Sequence, residues 1–312
     1  MPDVDVVIVN YRSTAHTAAC VGAAHAAARG DGVAVNLVVV NNGDTATDLE
    51  ALVGPQGAAT FVHNAGNLGF GAACNIGAAQ GGARYVLFLN PDALVKPGYF
   101  RTMIAFMDDP ANARIGVVGP AIEKEGGAIA QTCSPLPSVP ALLTRSIGLS
   151  QGFLSAQAHT HSGAVGQVMG AVLLVRRALF DELGGFDKRF FLYYEDVDLC
   201  ARAAAKGYLT YYLTTARAFH AGRVSSSQDT GMALALFLRS RFTYARLHFG
   251  VAAEVLVVAT SFLAELPLRL LRTLFGGQSI TGMAVLRAYR LLSISLVSGA
   301  HLASLGARGR ER

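Results

Sequence analysis

The sequence predicts an α/β fold in which a Rossmann-like sheet is flanked by helices and continues into a C-terminal helical extension. Short apolar runs alternate with alanine-rich helical stretches through the first half of the chain, a pattern typical of βαβ units. The apolar runs are unbroken, as expected for strands buried on both faces. Residues 251–312 instead combine longer apolar runs with arginine.

The first elements follow from apolar runs and helix-ending glycines. Residues 4–11 (VDVVIVNY) predict a buried strand, residues 18–30 a helix that ends at Gly30, and residues 35–43 and 83–93 two further strands. Because ligands bind at the carboxyl ends of strands in open α/β sheets, the polar residues at these ends predict one crevice. They are Asn10, Tyr11, Asn41, Asn42, Asn90 and Asp92.

The second half of the chain predicts a loop and two more strands. Residues 126–165 are rich in glycine, proline and serine and show little periodicity, which predicts a long, mobile loop. Residues 167–187 predict a strand and then a helix that stops at Gly184 and Gly185. Residues 207–219 (GYLTYYLTTARAF) predict another strand.

Composition narrows the class of protein. A chain of 312 residues can hold one large domain or two small ones with an ordinary hydrophobic core. The four cysteines are far apart and form no CxxC pair, which argues against disulfides or structural zinc and indicates a reducing, cytosolic compartment. The N-terminus MPDVDVVIVNYRS lacks the basic and long apolar regions of a secretory signal.

The net charge of +5 is concentrated at the C-terminus. Residues 231–312 carry ten Arg and three Glu, whereas residues 1–230 carry sixteen basic and eighteen acidic residues. Apolar faces flanked by arginine fit a helix lying in the membrane interface, and they fit equally a tail packed on its own domain or on a second subunit. Nucleic acid is disfavoured, because the basic residues are not interleaved with aromatic residues in a recognisable module.

Two strand ends carry candidate metal ligands. Pro91 forces a turn that presents Asp92 at the crevice. Mg²⁺ or Mn²⁺ would take one or two carboxylates together with phosphate oxygens, but Asp92 could equally cap the helix predicted in KPGYFRTMIAFM. His220 follows another strand; a lone histidine is more often structural, and its position leaves a metal-ligand role open.

A weaker signal is the glycine-rich stretch over residues 64–82. Gly66, Gly69 and Gly71 precede a helical pattern and allow a ligand phosphate to approach the backbone at the helix N-terminus. Glycines before a helix more often serve only as turn residues, and this stretch is neither a P-loop nor a strict GxGxxG.

The stretch FFLYYEDVDLC, residues 190–200, places three carboxylates in an apolar and aromatic run. With a helix that begins near residue 194 or 195, Asp198 would pair with Arg202 one turn later. Glu195 and Asp196 would lie in the first turn, where they either cap the helix or project into the crevice. Burial among aromatic side chains could raise a carboxyl pKa enough for a general base, and the spacing does not decide which of the two has that role.

Taken in order, these stretches resemble the inverting glycosyltransferases of family 2, and among them the rhamnosyltransferase group. The resemblance covers residues 4–250. It rests on VVIVNY, VVVNNG, NLGFGAACNIG, LFLNPDALV, GGFDKRFFLYYEDVDL and RAFHAGRVSS. It implies a GT-A catalytic domain over residues 1–250, built on a Rossmann-like mixed sheet flanked by helices, together with a nucleotide-diphospho-sugar donor, a divalent cation (Mg²⁺ or Mn²⁺) and a glycan or polyprenyl-linked acceptor. Residues 251–312 would form a membrane-interfacial or homodimer-forming tail, which predicts a cytoplasmic protein peripheral at the inner face of the cell membrane.

The resemblance also implies roles for individual residues. Asp92 and His220 would hold the cation, with Asn90 in place of the first acid of the family's DxD element. Asp196 would be the general base, and Glu195 would assist in acceptor binding. The implied acceptor-binding residues are Gly184, Gly185, Phe186 and Asp187. The implied donor-binding residues are Tyr11, Asn41, Asn67, Gly69, Asn75, Asn90 and Asp92.

One position departs from the family pattern. At the end of the second strand the family has an acidic residue that accepts a hydrogen bond from the pyrimidine N–H, where this chain has Asn41. An amide oxygen can still accept that bond, so the choice of base stays open.

The expected function is inverting transfer of rhamnose from dTDP-rhamnose to a hydroxyl of a lipid-linked glycan in cell-envelope polysaccharide synthesis. One alternative transfers another sugar, such as galactofuranose, glucose or N-acetylglucosamine. A less favoured alternative is a non-catalytic protein that binds sugar nucleotides. A nucleotidyltransferase or a dinucleotide-dependent oxidoreductase is disfavoured, because the chain lacks both an acid after the second strand and a glycine fingerprint.

Overall fold

The computed structural model of the chain describes residues 1–43, 46–149, 154–222, 229–274, 280–298 and 302. The chain divides into two compact units. The sheet unit comprises Met1–Leu136, Phe153–Lys188 and Glu195–Ser225. The helical unit comprises Pro137–Gly152, Arg189–Tyr194 and Ser226–Arg312, so the expected boundary at residue 250 falls within it. Part of the stretch after His220 and the end of the predicted tail lie outside the described residues.

The sheet unit is built on a mixed sheet. The described strands of this unit are β1 (Val4–Asn10), β2 (Val35–Asn41), β3 (Thr60–His63), β4 (Tyr85–Leu89), β5 (Ala93–Val95), β6 (Ile115–Glu123), β7 (Cys133–Ser134), β8 (Gly163–Val165), β9 (Gln167–Val168), β10 (Val172–Arg176) and β11 (Leu209–His220), of which β7 and β9 pair with each other outside the mixed sheet. Within the described part of the chain, nine strands form one sheet in the order β3-β2-β1-β4-β10-β6-β11-β5, with β8 added to β11. Strands β1 to β4 are parallel, and β10 runs antiparallel between β4 and β6. The predicted α/β fold with a mixed sheet is confirmed.

Helices cover both faces of this sheet. In the described residues the sheet unit contains the helices α1 (Thr14–Asp31), α2 (Ala46–Val53), α3 (Phe70–Ala78), α4 (Tyr99–Asp108), α6 (Arg177–Glu182) and α7 (Glu195–Ala205), whereas α5 (Val139–Ser146), α8 (Thr230–Phe249), α9 (Val251–Thr260), α10 (Leu266–Leu274) and α11 (Gly282–Ser298) belong to the helical unit. Helices α1 and α4 pack on one face, and α3 and α7 pack on the other. Consecutive β1 residues alternate between these two cores, which is why the strand is apolar almost throughout.

Two sequence expectations are corrected. Helix α1 continues past Gly30 and ends at Gly32, whose φ of 70° is the left-handed conformation that closes a helix. The segment 126–165 is not one structureless loop, because it contains β7, α5 and β8. The hydroxyl of Ser138 caps α5 by accepting the Ala141 amide at 3.4 Å. Elements this short produce too little periodicity to be recognised in a sequence.

The helical unit contains α5 and α8 to α11. Helix α8 packs against α9 and α11. A π-helical turn at Ser261–Glu265 joins α9 to α10, so that Val251–Thr273 is one continuous helix. By length and composition this helix is apolar enough to cross a membrane.

Candidate active site

The carboxyl ends of the parallel strands form one polar edge of the sheet. Asn10, Asn41 and His63 occupy matching register positions on β1, β2 and β3. Tyr11 follows β1, and Asn90 directly follows β4. Residues that are far apart in the sequence therefore meet along one line, as the prediction of a single crevice required.

Asp92 and His220 form a pair at this edge. The turn at Pro91 leads into β5, where Ala93 lies opposite His220 in the antiparallel pairing with β11. The Asp92 carbonyl accepts the Ala221 amide at 3.1 Å. His220 Nε2 lies 3.0 Å from Asp92 Oδ1, and both side chains are largely buried.

The alternative that Asp92 caps α4 is wrong. Asp31 at the end of α1 has that role: its Oδ1 accepts the Gly98 amide at 2.9 Å, and its Oδ2 accepts the amides of Phe100 and Arg101 at 2.9 and 3.2 Å. A carboxylate in this position satisfies the unpaired amides of the first helical turn. Asp92 is therefore not needed as the cap of α4, and its carboxylate can act at the strand ends.

Asp196 is held by a backbone amide of a neighbouring strand end. Helix α7 begins at Glu195, and Asp196 Oδ2 accepts the Gly170 amide at 2.7 Å. The residue after Gly170, Ala171, accepts the Asn90 amide at 2.8 Å. A Cβ on Gly170 would lie 3.0 Å from the Asp196 Cβ, so this approach depends on glycine. Asp196 therefore lies at the same edge as Asn90.

The two adjacent carboxyls have different surroundings. Burial raises the pKa of Glu195 well above its usual value, and the charge of Asp196 raises it further. Glu195 Oε2 is buried and has no hydrogen-bond partner among the residues that the structure describes. Burial also raises the pKa of Asp196, but the amides of Gly170 and Val197 oppose this rise. Hydrogen bonds of this kind favour the ionised form, so Asp196 is better suited to be a base and Glu195 to be a neutral acid.

Asp198 does not take part in this pair. Its carboxylate accepts Arg202 Nε at 2.7 Å, one helical turn later. The predicted ion pair is confirmed. Arg202 also donates to the carbonyls of Leu183 and Gly185 at 2.9 and 3.0 Å, which ties α7 to the glycine turn before it.

The segment at residues 184–187 is fastened to α3. Asn75 Nδ2 donates to the Phe186 carbonyl at 2.8 Å, and Asn75 Oδ1 accepts the Phe186 amide at 2.8 Å. Gly184 and Gly185 have φ values of 71° and 77°, which favour glycine. A Cβ on Gly185 would lie 2.5 Å from Asn75 Oδ1. The resemblance implies that Asn75 faces the nucleotide. In the structure both the nitrogen and the oxygen of its side-chain amide bond to the Phe186 backbone.

A second asparagine network shapes the loop before α3. Asn42 Oδ1 accepts from Asn64 and from the Leu68 amide at 3.1 and 3.0 Å. Asn67 Oδ1 accepts from Asn42 Nδ2 and from the Gly69 amide, each at 2.9 Å. Gly69 has a φ of 86° and immediately precedes α3. The position of Asn42 at a strand end was predictable from the sequence, but its part in shaping this loop was not.

The residues at the edge fit a cation that is shared with a ligand. Among the described residues, no three His, Cys, Asp or Glu side chains lie close enough together to hold a metal ion by themselves. Asp92 and His220 offer one carboxylate and one imidazole. Mg²⁺ and Mn²⁺ accept one or two protein ligands when substrate phosphates complete the shell. The donor set therefore suits a cation that binds together with a diphosphate.

Comparison with known proteins gives consistent matches. A family model described as "Glycosyltransferase like family 2" matches residues 2–243. The chain is 28% identical over 230 residues to the N-acetylglucosaminyl-diphospho-decaprenol L-rhamnosyltransferase of Mycobacterium tuberculosis, covering 67% of this chain and 74% of that one. It is 25% identical over 162 residues to the rhamnosyltransferase WbbL of Escherichia coli, covering 51% and 61%.

Solved structures share the fold at low identity. The mannosyltransferase PcManGT from Pyrobaculum calidifontis, in complex with GDP-Man and Mn²⁺, has a TM-score of 0.53 at 17% identity and covers 99% of this chain and 80% of that one. Residues 1–349 of S. aureus TarS give a TM-score of 0.52 at 14% identity and cover 96% and 92%. At these identities the likeness concerns the fold alone.

Proposed function

Because this chain belongs to glycosyltransferase family 2 and has a GT-A-type fold, we propose an inverting transfer of a sugar from a nucleotide-diphospho-sugar to an acceptor hydroxyl. The first candidate donor is dTDP-rhamnose, and the first candidate acceptor is a lipid-linked glycan of the cell envelope. Two relatives named as rhamnosyltransferases, one of which is named for a diphospho-decaprenol, support this choice.

One observation carries the proposal: the half-buried Asp196 carboxylate and a pair suited to a cation lie at one edge of the sheet. Asp196 accepts the Gly170 amide at 2.7 Å. Ala171, next in the chain, bonds to Asn90, which stands two residues before Asp92. A diphosphate bound at Asp92 and His220 would leave the anomeric carbon between those residues and Asp196. Such an arrangement suits attack from the side opposite the leaving group.

In the proposed reaction Asp196 accepts the proton of the acceptor hydroxyl. The hydroxyl oxygen forms a bond to the anomeric carbon while the bond from that carbon to the diphosphate oxygen breaks, and the nucleoside diphosphate leaves with the electron pair. One displacement inverts the anomeric centre. Burial raises the pKa of Glu195, and its Oε2 has no hydrogen-bond partner among the described residues; in the proposed reaction its protonated carboxyl would donate a hydrogen bond to the acceptor.

Asp92 and His220 are the residues that would hold the cation. When bound, Mg²⁺ or Mn²⁺ would neutralise charge on the departing diphosphate. The direct hydrogen bond between the two side chains keeps them together at the strand ends.

The test measures release of nucleoside diphosphate from a panel of nucleotide sugars with a polyprenyl-linked acceptor. Donors carrying rhamnose, galactofuranose, glucose and N-acetylglucosamine separate the leading proposal from the same chemistry with another sugar. Asp196→Asn is expected to lower kcat by about 10²- to 10⁴-fold while donor affinity is retained, whereas Asp92→Ala weakens donor binding. Glu182→Gln, which alters an exposed pair with Lys206, is the control. Undiminished turnover in both variants would contradict the assignment, and donor binding without turnover on any acceptor would favour the non-catalytic alternative.

We further propose that the helical unit binds the cytoplasmic membrane surface. In Val251–Thr273 the buried positions Ala253, Val257, Ser261 and Glu265 recur every fourth residue and form one packed seam. Exposed apolar side chains occupy other positions of this helix and of α11 and are called here the apolar surface. They are Val251, Val255, Leu256, Leu263, Leu271, Met283, Leu286, Ile294 and Val297.

Charge favours an anionic lipid surface as the partner of the apolar surface. Arg272, Arg287 and Arg290 are exposed on the same helices, and arginines beside apolar side chains are typical of interfacial helices. A transmembrane path for Val251–Thr273 is disfavoured, because Glu265 is buried against Arg241 of α8 and charges at bilayer depth are costly.

Vesicle flotation tests this proposal. Wild-type protein is expected to float with phosphatidylglycerol vesicles and to remain below with phosphatidylcholine vesicles at low salt. Val255→Glu/Leu263→Glu is expected to abolish flotation, and Leu209→Glu, an equally polar change at a half-exposed leucine of the sheet unit, should not. If the double variant instead converts a dimer to a monomer without changing flotation, the surface joins two copies of the chain.

A further inference from the structure

His63 is on β3, the outermost strand of the sheet on the side opposite β5. It contacts two other residues near the carboxyl ends of the strands. Its Nε2 lies 2.8 Å from Glu50 Oε1 of α2, and its Nδ1 lies 3.3 Å from Asn41 Nδ2. Asn41 and His63 are register partners on β2 and β3. Asn41 is buried, whereas His63 and Glu50 are 33% and 52% exposed. Contacts between these three side chains therefore connect the exposed Glu50, through His63, to the buried Asn41 at the end of β2.

The chemistry of this line determines which way the Asn41 amide faces. An ionised carboxylate only accepts hydrogen bonds, so Glu50 requires the proton on His63 Nε2. The Asn41 amide nitrogen can only donate, so its 3.3 Å contact makes His63 Nδ1 the acceptor. The Asn41 oxygen must point away from His63, because the two polar atoms of an amide diverge from one carbon.

Asn41 lies where the base of a bound nucleotide would be expected. Strand β2 is separated from β4 by β1 alone, and two spacings of about 4.8 Å put Asn41 roughly 10 Å from the strand that leads to Asp92. That distance is comparable to the length of a nucleoside between its diphosphate and its base. A carbonyl oxygen has two lone pairs and can accept from a base in addition to any bond within the protein.

We propose that Glu50 and His63 are positioning residues that make the Asn41 oxygen the acceptor for the nucleobase. The site then selects bases with a ring N–H at the pairing edge, thymine and uracil, over cytosine, whose ring nitrogen at that edge is itself an acceptor. This inference rests on the proposed function, because it requires a nucleotide donor.

Titration calorimetry with dTDP and CDP in the presence of Mg²⁺ tests the arrangement. The quantity of interest is the ratio of the CDP to the dTDP dissociation constant. Glu50→Ala and His63→Ala are each expected to lower this ratio by about fivefold, which corresponds to one hydrogen bond. In turnover they should raise the donor KM and leave kcat within about twofold, because the chemical step is distant.

Asn41→Asp separates positioning from mere structural damage. An aspartate accepts through both oxygens and needs no orientation, so the ratio should stay high in Asn41→Asp, and His63→Ala should have no effect on it in that background. Glu182→Ala, at an exposed pair on α6, is the control for loss of a surface carboxylate.

The outcomes separate two failures. If wild-type protein binds neither nucleoside diphosphate, the proposed function fails and the inference fails with it. If wild-type protein prefers dTDP and the preference is unchanged in Glu50→Ala and His63→Ala, the proposed function stands and the positioning role is wrong. A preference lost in both single variants and retained in Asn41→Asp/His63→Ala supports the proposal.

Discussion

Glu265→Ala is expected to destabilise the helical unit severely, because it would leave Arg241 as a buried charge without its carboxylate. Arg241 is 1% exposed and Glu265 is 2% exposed. The Arg241 guanidinium donates to Glu265 Oε2 and, at 3.2 Å, to the Ser261 hydroxyl. Tyr289 of α11 completes this cluster by donating to the Ser261 carbonyl at 3.1 Å. Three helices therefore meet at the Glu265 carboxylate, whose Oε1 also pairs with Arg269 at 2.7 Å; the Arg269 side chain is 24% exposed, so Arg241 is the partner that its loss would leave buried.

The magnitude follows from burial. Removing one partner of a buried ion pair costs about 3–5 kcal/mol, whereas an exposed pair contributes about 0–1 kcal/mol. The same continuous helix provides the control, since Glu254 pairs with Arg246 at 2.9 Å and the Arg246 side chain is 58% exposed. Glu265→Ala should thus exceed Glu254→Ala by at least about 2 kcal/mol in free energy of unfolding.

Native-state hydrogen exchange of α8 and α11 amides is the suitable assay, because a chain with two units does not unfold in one step. The opening free energy of these helices should fall in Glu265→Ala and hardly change in Glu254→Ala. The double variant Arg241→Met/Glu265→Met removes both charges and should restore stability to within about 1 kcal/mol of wild type. Equal, small effects of Glu265→Ala and Glu254→Ala would show that α8 and the following helix do not pack as described.

Three further predictions concern the sheet unit. Burial raises the pKa of Asp196, so kcat should fall as the pH decreases and the base takes up a proton, with a midpoint above the ordinary aspartate range. The measurement is a kcat profile from about pH 4 to pH 8. A midpoint within the ordinary aspartate range would contradict a base with a raised pKa. Asn75→Ala removes both hydrogen bonds to the Phe186 backbone, and we expect a higher acceptor KM together with about 1–3 kcal/mol lower opening free energy in hydrogen exchange of the α3 amides. Asp31→Ala should lower the free energy of unfolding by about 1–2 kcal/mol through the loss of the α4 cap, while Asp92→Ala should leave it nearly unchanged. A larger loss in Asp92→Ala than in Asp31→Ala would show that Asp92 is the cap.

Several features were predictable because they depend on neighbouring residues. The pairing of Asp198 with Arg202 requires only helical spacing, and the helix stop near Gly184 requires only left-handed glycines. The segment around residues 139–146 was missed as a helix, because eight residues between prolines and glycines give almost no periodic signal.

Other features depend on contacts between residues far apart in the chain. Nothing local in KPGYFRTMIAFM shows that its cap comes from Asp31 at the end of another helix. The roles of Asn75 and Asn42 were likewise hidden, because an amide side chain can bond to a ligand or to backbone equally well, and only packing selects between them.

The sequence by itself determined the α/β class and the polar residues at the ends of the strands. These follow from local rules, since strands buried on both faces must be apolar throughout and the exceptions appear where the strands end. Only the tertiary structure decided that the Gly170 amide holds Asp196 beside the end of β4, that Asp92 meets His220, and that His63 lies between Asn41 and Glu50. The physical reason is that strand order and register are set by burial across the whole sheet, and no short stretch of sequence carries that information.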